Sequence, residues 1–176
     1  MNIDILIKEH SLYIDKEDEE FINKFSSTTG TKFPKGKLGN YLGSWFEGYI
    51  YTLLIGIITG ERRYEGFQDK QQKMRSWNSA TLEQYKYCIS LVLSKPDIIG
   101  EIGLNKREEV DKYIELTNEN ESVTIIILNK LKDICDQFSL GGVDFIKRYE
   151  EQDPEIFDDP FALKTIFESA LENKID

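Results

Sequence analysis

The chain has little of what chemistry most often needs. It holds one histidine, His10, and two cysteines, Cys88 and Cys135, in 176 residues. Two cysteines do not make a disulfide framework, and neither has a neighbour at metal-ligand spacing. His10 stands beside Ser11 in a segment that reads as extended, and spacing supplies it no acid–base partner. No Gly-x-x-x-x-Gly-Lys-Ser/Thr and no Gly-x-Gly-x-x-Gly occurs, so the usual phosphate loops are excluded. The acidic clusters at 15–20 and 153–159 lack the alternating ligands and central glycine of a calcium loop. No catalytic residue, metal site or cofactor is therefore assigned. Long hydrophobic runs are missing too. The longest, residues 45–58, is too short to span a bilayer and contains Glu47. The start, Met1-Asn2-Ile3-Asp4, has neither the basic residues nor the apolar run of a signal peptide. The expectation is a cytoplasmic protein in a reducing compartment, with no membrane partner.

What is present is core-forming material and acid. The apolar share is 40% and the aromatic share 12%, enough for a packed globule rather than a disordered chain. The length suits a single domain, 1–176. Both cysteines fall on apolar faces of expected helices, where packing is their expected role. The net charge of −10 repels nucleic acid at long range, but it is uneven. Residues 24–75 hold nine Lys/Arg and four Asp/Glu, a net +5, leaving −15 on the rest.

The expected fold is all-α, an orthogonal or bundle-like domain of six to seven helices, with a short N-terminal strand or arm at 3–8. Asp15 can cap a first helix with Phe21, Ile22 and Phe25 as its apolar stripe. Residues 26–39 are rich in turn formers and read as a flexible loop. Residues 40–60 form the central helix, apolar on most sides and hence buried. Ser44, Gly48, Thr52, Gly56 and Gly60 recur there every fourth position. Each interior glycine costs roughly 1 kcal/mol against alanine, and close approach by another helix is the natural compensation. Asn78 caps a helix lined by Leu82, Tyr85, Cys88, Ile89 and Val92, with Pro96 at its end, and 97–104 read as a turn or a single helical turn. Asn105 starts another, with Val110, Tyr113 and Ile114. Residues 122–138 follow helical rather than strand spacing. Gly141-Gly142 reads as a break before a short helix at 143–151. Asp159 and Pro160 open the last helix, with Leu163, Ile166, Phe167, Ala170 and Leu171 inward.

Two places invite a functional reading. Glu47 lies inside an apolar run and needs a partner or water. Arg62, Arg63 and Arg75 are candidate partners, and Trp45, Tyr49 and Trp77 could complete a pocket for a small ligand or an enzymatic reaction. The second place is a basic stretch of Lys32, Lys35, Lys37, Arg62, Arg63, Lys70, Lys73 and Arg75. Tyr64, Phe67 and Trp77 are interleaved with its second half, a pattern suited to phosphate contact with base stacking. In size, acidity and helix content the chain resembles small bacterial partner proteins, including immunity proteins against toxins; the resemblance is of general character and carries no residues. The leading expectation is a non-enzymatic, acidic protein–protein interaction component of a bacterial or phage system: an immunity, antidote or defence accessory protein. Its partner would be another protein, of basic charge, and homo-oligomers are compatible with this. Nucleic-acid contact through residues 32–75 is the alternative, and an enzyme with a carboxylate–arginine pocket at Glu47 the third.

Overall fold

The computed structural model describes residue 7 and residues 12–26, 42–64, 70–74, 78–103 and 121–172, with side chains outside 70–74 and 121–124. The fold is all-α, as the periodicity requires. In chain order come a strand β1 (Leu12–Asp15), α1 (Lys16–Ile22), α2 (Trp45–Thr59), a strand β2 (Lys70–Met74), α3 (Ser79–Leu93), α4 (Pro96–Glu101), α5 (Glu121–Gln152), a 3₁₀ turn (Ile156–Asp158) and α6 (Ala162–Glu172). β1 and β2 pair as a two-stranded sheet. The segments gather into two compact units. One comprises residues 1–13 and 72–135, the other 14–71 and 136–176, so the boundary runs through α5 itself. No helix among the described residues is long and apolar enough to cross a membrane.

Several expectations are corrected. Of the segment expected as a strand or arm, 3–8, only Ile7 is described, and it is helical and buried; the described strand comes later. It lies at Leu12–Asp15, where Leu12 and Ile14 are buried and alternate with half-exposed Tyr13 and Asp15, the period of a pleated strand. Asp15 does stand at the N-cap of α1, but its side chain makes no capping hydrogen bond. Residues 27–39 of the loop and the helix expected from Asn105 lie outside the described residues. The loop's two ends are joined, with the Leu42 N–H donating to the Phe25 carbonyl at 3.1 Å. α3 ends at Leu93, ahead of Pro96 as expected, and Pro96 opens the short helix α4 as its first residue, where its missing N–H costs nothing. The last helix begins at Ala162 rather than Pro160; Asp159 caps the turn before it, its Oδ1 accepting from the Phe161 N–H at 2.8 Å. Leu171 is exposed, because it falls on the solvent side of α6 from Ile166 and Ala170.

In the unit of residues 72–135, Leu82, Tyr85, Cys88, Ile89 and Val92 recur at helical spacing along α3 and are all buried, as expected. Asn78 caps this helix, its Oδ1 accepting from the Thr81 N–H at 2.9 Å. Cys88 and Cys135 are buried and not joined in a disulfide. Burial pushes the Cys88 thiol up to about 11, so it stays protonated and inert at neutral pH.

The second unit is built around α2. Its side chains Tyr49, Thr52, Leu53 and Ile55 are buried, and Gly60 ends it in the left-handed conformation that glycine adopts without strain. α5 does not break at Gly141-Gly142 but runs unbroken for 32 residues. Its two glycines are where other backbone comes close. A methyl group on Gly56 would sit 2.7 Å from the carbonyl carbon of Phe138, and one on Gly142 would sit 2.7 Å from that of Thr52. The relation is reciprocal: each glycine faces the carbonyl four residues before the other. One on Gly141 would meet the Arg62 nitrogen at 2.8 Å. Beside this crossing the Thr52 and Ser139 hydroxyls share a buried hydrogen bond of 2.7 Å, and the Tyr49 hydroxyl donates to Asp136 Oδ1 at 2.8 Å. Around it lies an apolar cluster including Phe21, Ile22, Phe25, Ile55, Val143, Ile146, Ile156 and Ile166. Phe25 stacks on Phe157 with ring centres 5.6 Å apart. Burying one such ring contributes roughly 2–3 kcal/mol.

Gly56→Ala and Gly142→Ala should each destabilise by about 3 kcal/mol, since a methyl forced into a carbonyl must push the helices apart. Gly100→Ala in α4, where a methyl meets nothing within 4 Å, should be neutral or stabilise by up to about 1 kcal/mol. Urea denaturation of the three variants checks the ordering; equal effects at the three sites would contradict it.

Candidate functional site

Among the described residues, Glu47 stands apart from Arg62 and Arg63. The Glu47 carboxylate is exposed at the start of α2 and accepts from the Gly43 N–H at 2.7 Å, while its own N–H donates to Ser44 Oγ at 3.2 Å. This is the reciprocal arrangement of a capping box, shifted by one residue on the return side. Arg62 and Arg63 follow the opposite end of the same helix. Fifteen residues at 1.5 Å each separate the two ends by about 20 Å, so no ion pair can form. Trp45 and Tyr49 do meet, with ring centres 5.7 Å apart. Trp77 and Arg75 lie outside the described residues.

Of the expected basic stretch, Lys32, Lys35 and Lys37 also lie outside the described residues, and Lys70 and Lys73 stand on β2 without described side chains. Arg62 and Arg63 are both held from within. Arg62 Nε donates to Gln137 Oε1 at 3.1 Å, and its guanidinium lies 4.7 Å from the Tyr64 ring centre and 5.2 Å from that of Phe138. Arg63 is the centre of an ion network. Its Nη1 donates to Asp18 Oδ2 at 2.6 Å, its Nε to Asp144 Oδ2 at 2.8 Å, and its Nη2 contacts Asp144 Oδ1. Asp18 is 2% exposed and also accepts from Lys147 Nζ at 2.9 Å. Lys147 in turn reaches Glu17 at 3.2 Å. A carboxylate buried this deeply at the first turn of α1 persists only because two cations face it.

Both cations are stabilised in the charged form. For Lys147 and Arg63 alike, burial pulls the pKa down. The hydrogen bonds and charges of the facing carboxylates outweigh it and leave both above their ordinary values. A cation whose folded pKa is raised contributes stability that is complete below its unfolded pKa and lost as pH rises through the folded one. The network therefore holds throughout the neutral range, and Lys147 begins to lose its share above roughly pH 10.4.

The remaining charge is on the opposite sign. Residues 150–159, from the end of α5 through the 3₁₀ turn, hold six acidic residues and no basic one. Glu150 is bridged by Lys24 at 2.8 Å, and Asp159 caps Phe161. Glu151, Asp153, Glu155 and Asp158 are exposed and make no ion pair among the described residues. Next to them Phe161 is 66% exposed, an aromatic ring left in water beside uncompensated carboxylates. The sequence marked the acidic cluster but gave no sign of Phe161, which sits one residue outside the helical period of α6. Asp144 and Arg148, four apart on α5, were likewise missed, because their partners Arg63 and Glu61 lie more than 80 positions away. Among the described residues no group of three or more His, Cys, Asp or Glu is placed to hold a metal ion. Comparison with protein-family models, curated proteins and solved structures finds no match to this chain.

Arg63→Met should destabilise by about 3 kcal/mol by leaving Asp18 buried with half its counter-charge, against under about 0.5 kcal/mol for Lys164→Ala, whose pair with Glu168 is exposed. Urea denaturation at pH 7 reads both; equal losses would mean the network is a surface feature.

Proposed function

We propose that the chain is a non-enzymatic binding component that engages a basic partner protein through residues 150–159 and the ring of Phe161. One observation carries this: four exposed carboxylates with no counter-charge among the described residues lie beside an exposed aromatic ring. Interfaces of this kind use the aromatic as an anchor and the charges to steer encounter. Exposed acidic side chains with no ion pair among the described residues add little to stability and suit an encounter with an outside partner. The class of function this fits is a neutralising or regulatory partner of the immunity, antidote or defence-accessory kind, in a bacterial or phage setting. The alternative of nucleic-acid contact draws no support from Arg63, since a phosphate would have to displace both Asp18 and Asp144.

Affinity purification from the native host, with the wild type and with a variant carrying Glu151→Gln, Asp153→Asn, Glu155→Gln and Asp158→Asn, tests the reading. A basic protein should be retained by the wild type at low salt, released at high salt and lost from the variant. Phe161→Ala should weaken the recovered partner at least about tenfold in titration, the scale of a lost aromatic anchor. Retention by the variant equal to the wild type, or no retained protein at all, would refute it.

A further inference from the structure

Where α2 ends, its last turn, α5 and α6 enclose a polar cleft of about 430 Å³, lined by Thr59, Glu61, Phe145, Arg148, Tyr149, Gln152 and Ser169. The volume lies within the range of small-ligand sites, roughly 300–1,000 Å³. Two opposite charges meet in it. Both hydrogen bonds from Arg148 to Glu61 leave from one nitrogen: Nη2 donates to Oε1 at 2.6 Å and to Oε2 at 2.5 Å. The Nε and Nη1 of Arg148 make no hydrogen bond among the described residues. Each Glu61 oxygen retains a further lone pair. The side chains of Tyr149, Gln152 and Ser169 likewise make no hydrogen bond among the described residues. Beneath them Phe145 is buried, with the Arg148 guanidinium 5.9 Å over its ring centre. The C-terminal carbonyls of α2 stand beside Glu61 and add a negative end to that side of the cleft.

We propose that this cleft binds a small zwitterion of the α-amino acid class. The ligand carboxylate accepts from the open Nη1 of Arg148, a single charge-assisted hydrogen bond. Its ammonium lies against Glu61 and the end of α2. Gln152 and Ser169 supply the remaining polar contacts, and an apolar side chain covers Phe145 and Tyr149. A ligand with both charges keeps the cleft neutral and leaves neither Arg148 nor Glu61 facing an unmatched ion. A simple anion meets the Glu61 carboxylate, and a simple amine meets the guanidinium.

Each of the twenty standard amino acids, titrated in turn into the ¹⁵N-labelled full chain, tests this by the amide shifts of Gly60, Glu61, Gln152 and Ser169. At least one amino acid with an apolar or aromatic side chain should shift all four saturably. Its deaminated and decarboxylated analogues should each bind at least about tenfold more weakly, the loss of one charge-assisted hydrogen bond. Arg148→Met should abolish the shifts. Glu61→Gln should weaken the amino acid but tighten the deaminated analogue, a reversal that a merely structural role for the pair would not produce. Both variants should fold, because the Arg148–Glu61 pair is half-exposed and contributes little to stability. No saturable shift with any of the twenty, shifts that survive Arg148→Met, or equal weakening of both ligands by Glu61→Gln would overturn the proposal.

Discussion

The backbone contact between α2 and α5 is the constraint on which the second unit depends. Helices packed through ordinary side chains stand 8–10 Å apart. Gly56 and Gly142 remove the side chains at the crossing, and each glycine lies against a carbonyl of the other helix. At that range the hydroxyls of Thr52 and Ser139 can meet directly, and the Tyr49 hydroxyl reaches Asp136. The cost of glycine within two helices is offset by contacts that no side chain could make: close dispersion contact and buried, satisfied polar pairs.

What surrounds the crossing follows from it. Once α5 lies against α2, the residues after Gly60 run over Gly141, and the Arg63 N–H donates to the Gln137 carbonyl at 3.1 Å. That path delivers Arg63 to Asp144 and to the buried Asp18 of α1, so this guanidinium, with Lys147 of α5, ties α1 to the crossing. The same path brings Glu61 to Arg148 and leaves the cleft beside them. α6 closes the unit: the Tyr51 hydroxyl donates to the Leu163 carbonyl at 2.6 Å, and burial raises its pKa, which keeps it protonated as a donor. Between α5 and α6 the carboxylates of Glu151, Asp153, Glu155 and Asp158 are left in solvent, while Ile156 between them is buried.

Helix positions were legible because amphipathic spacing is local. The face of α3 was read residue by residue, and so was the small-residue stripe of α2, including the close approach it implies; in α1 Phe21 and Ile22 were read, but the helix ends before Phe25. The partner in that approach was not legible. Gly141-Gly142 has the same composition as a helix stop, and only packing against α2 distinguishes a contact surface from a break. The candidate site fared worse. Glu47 was read for its apolar neighbours when the informative feature was the Ser44-x-x-Glu47 spacing, a capping signal present in the chain. Arg63 was read as a surface charge because its partners Asp18 and Asp144 are 45 and 81 residues distant, and nothing along the chain relates them. Charge pairing, unlike helical period, has no local signature.

The most direct test of this account is the proton–proton distance across the crossing, read by nuclear Overhauser effects in the folded chain. The account predicts contacts between the Gly142 α-protons and the Thr52 and Gly56 backbone, matched by contacts from Gly56 to Phe138. It also predicts an unbroken series of helical contacts through Gly141 and Gly142. Absence of the interhelical contacts, with the helical series interrupted at 141–142, would show that the two glycines end a helix, and the crossing would have to be given up.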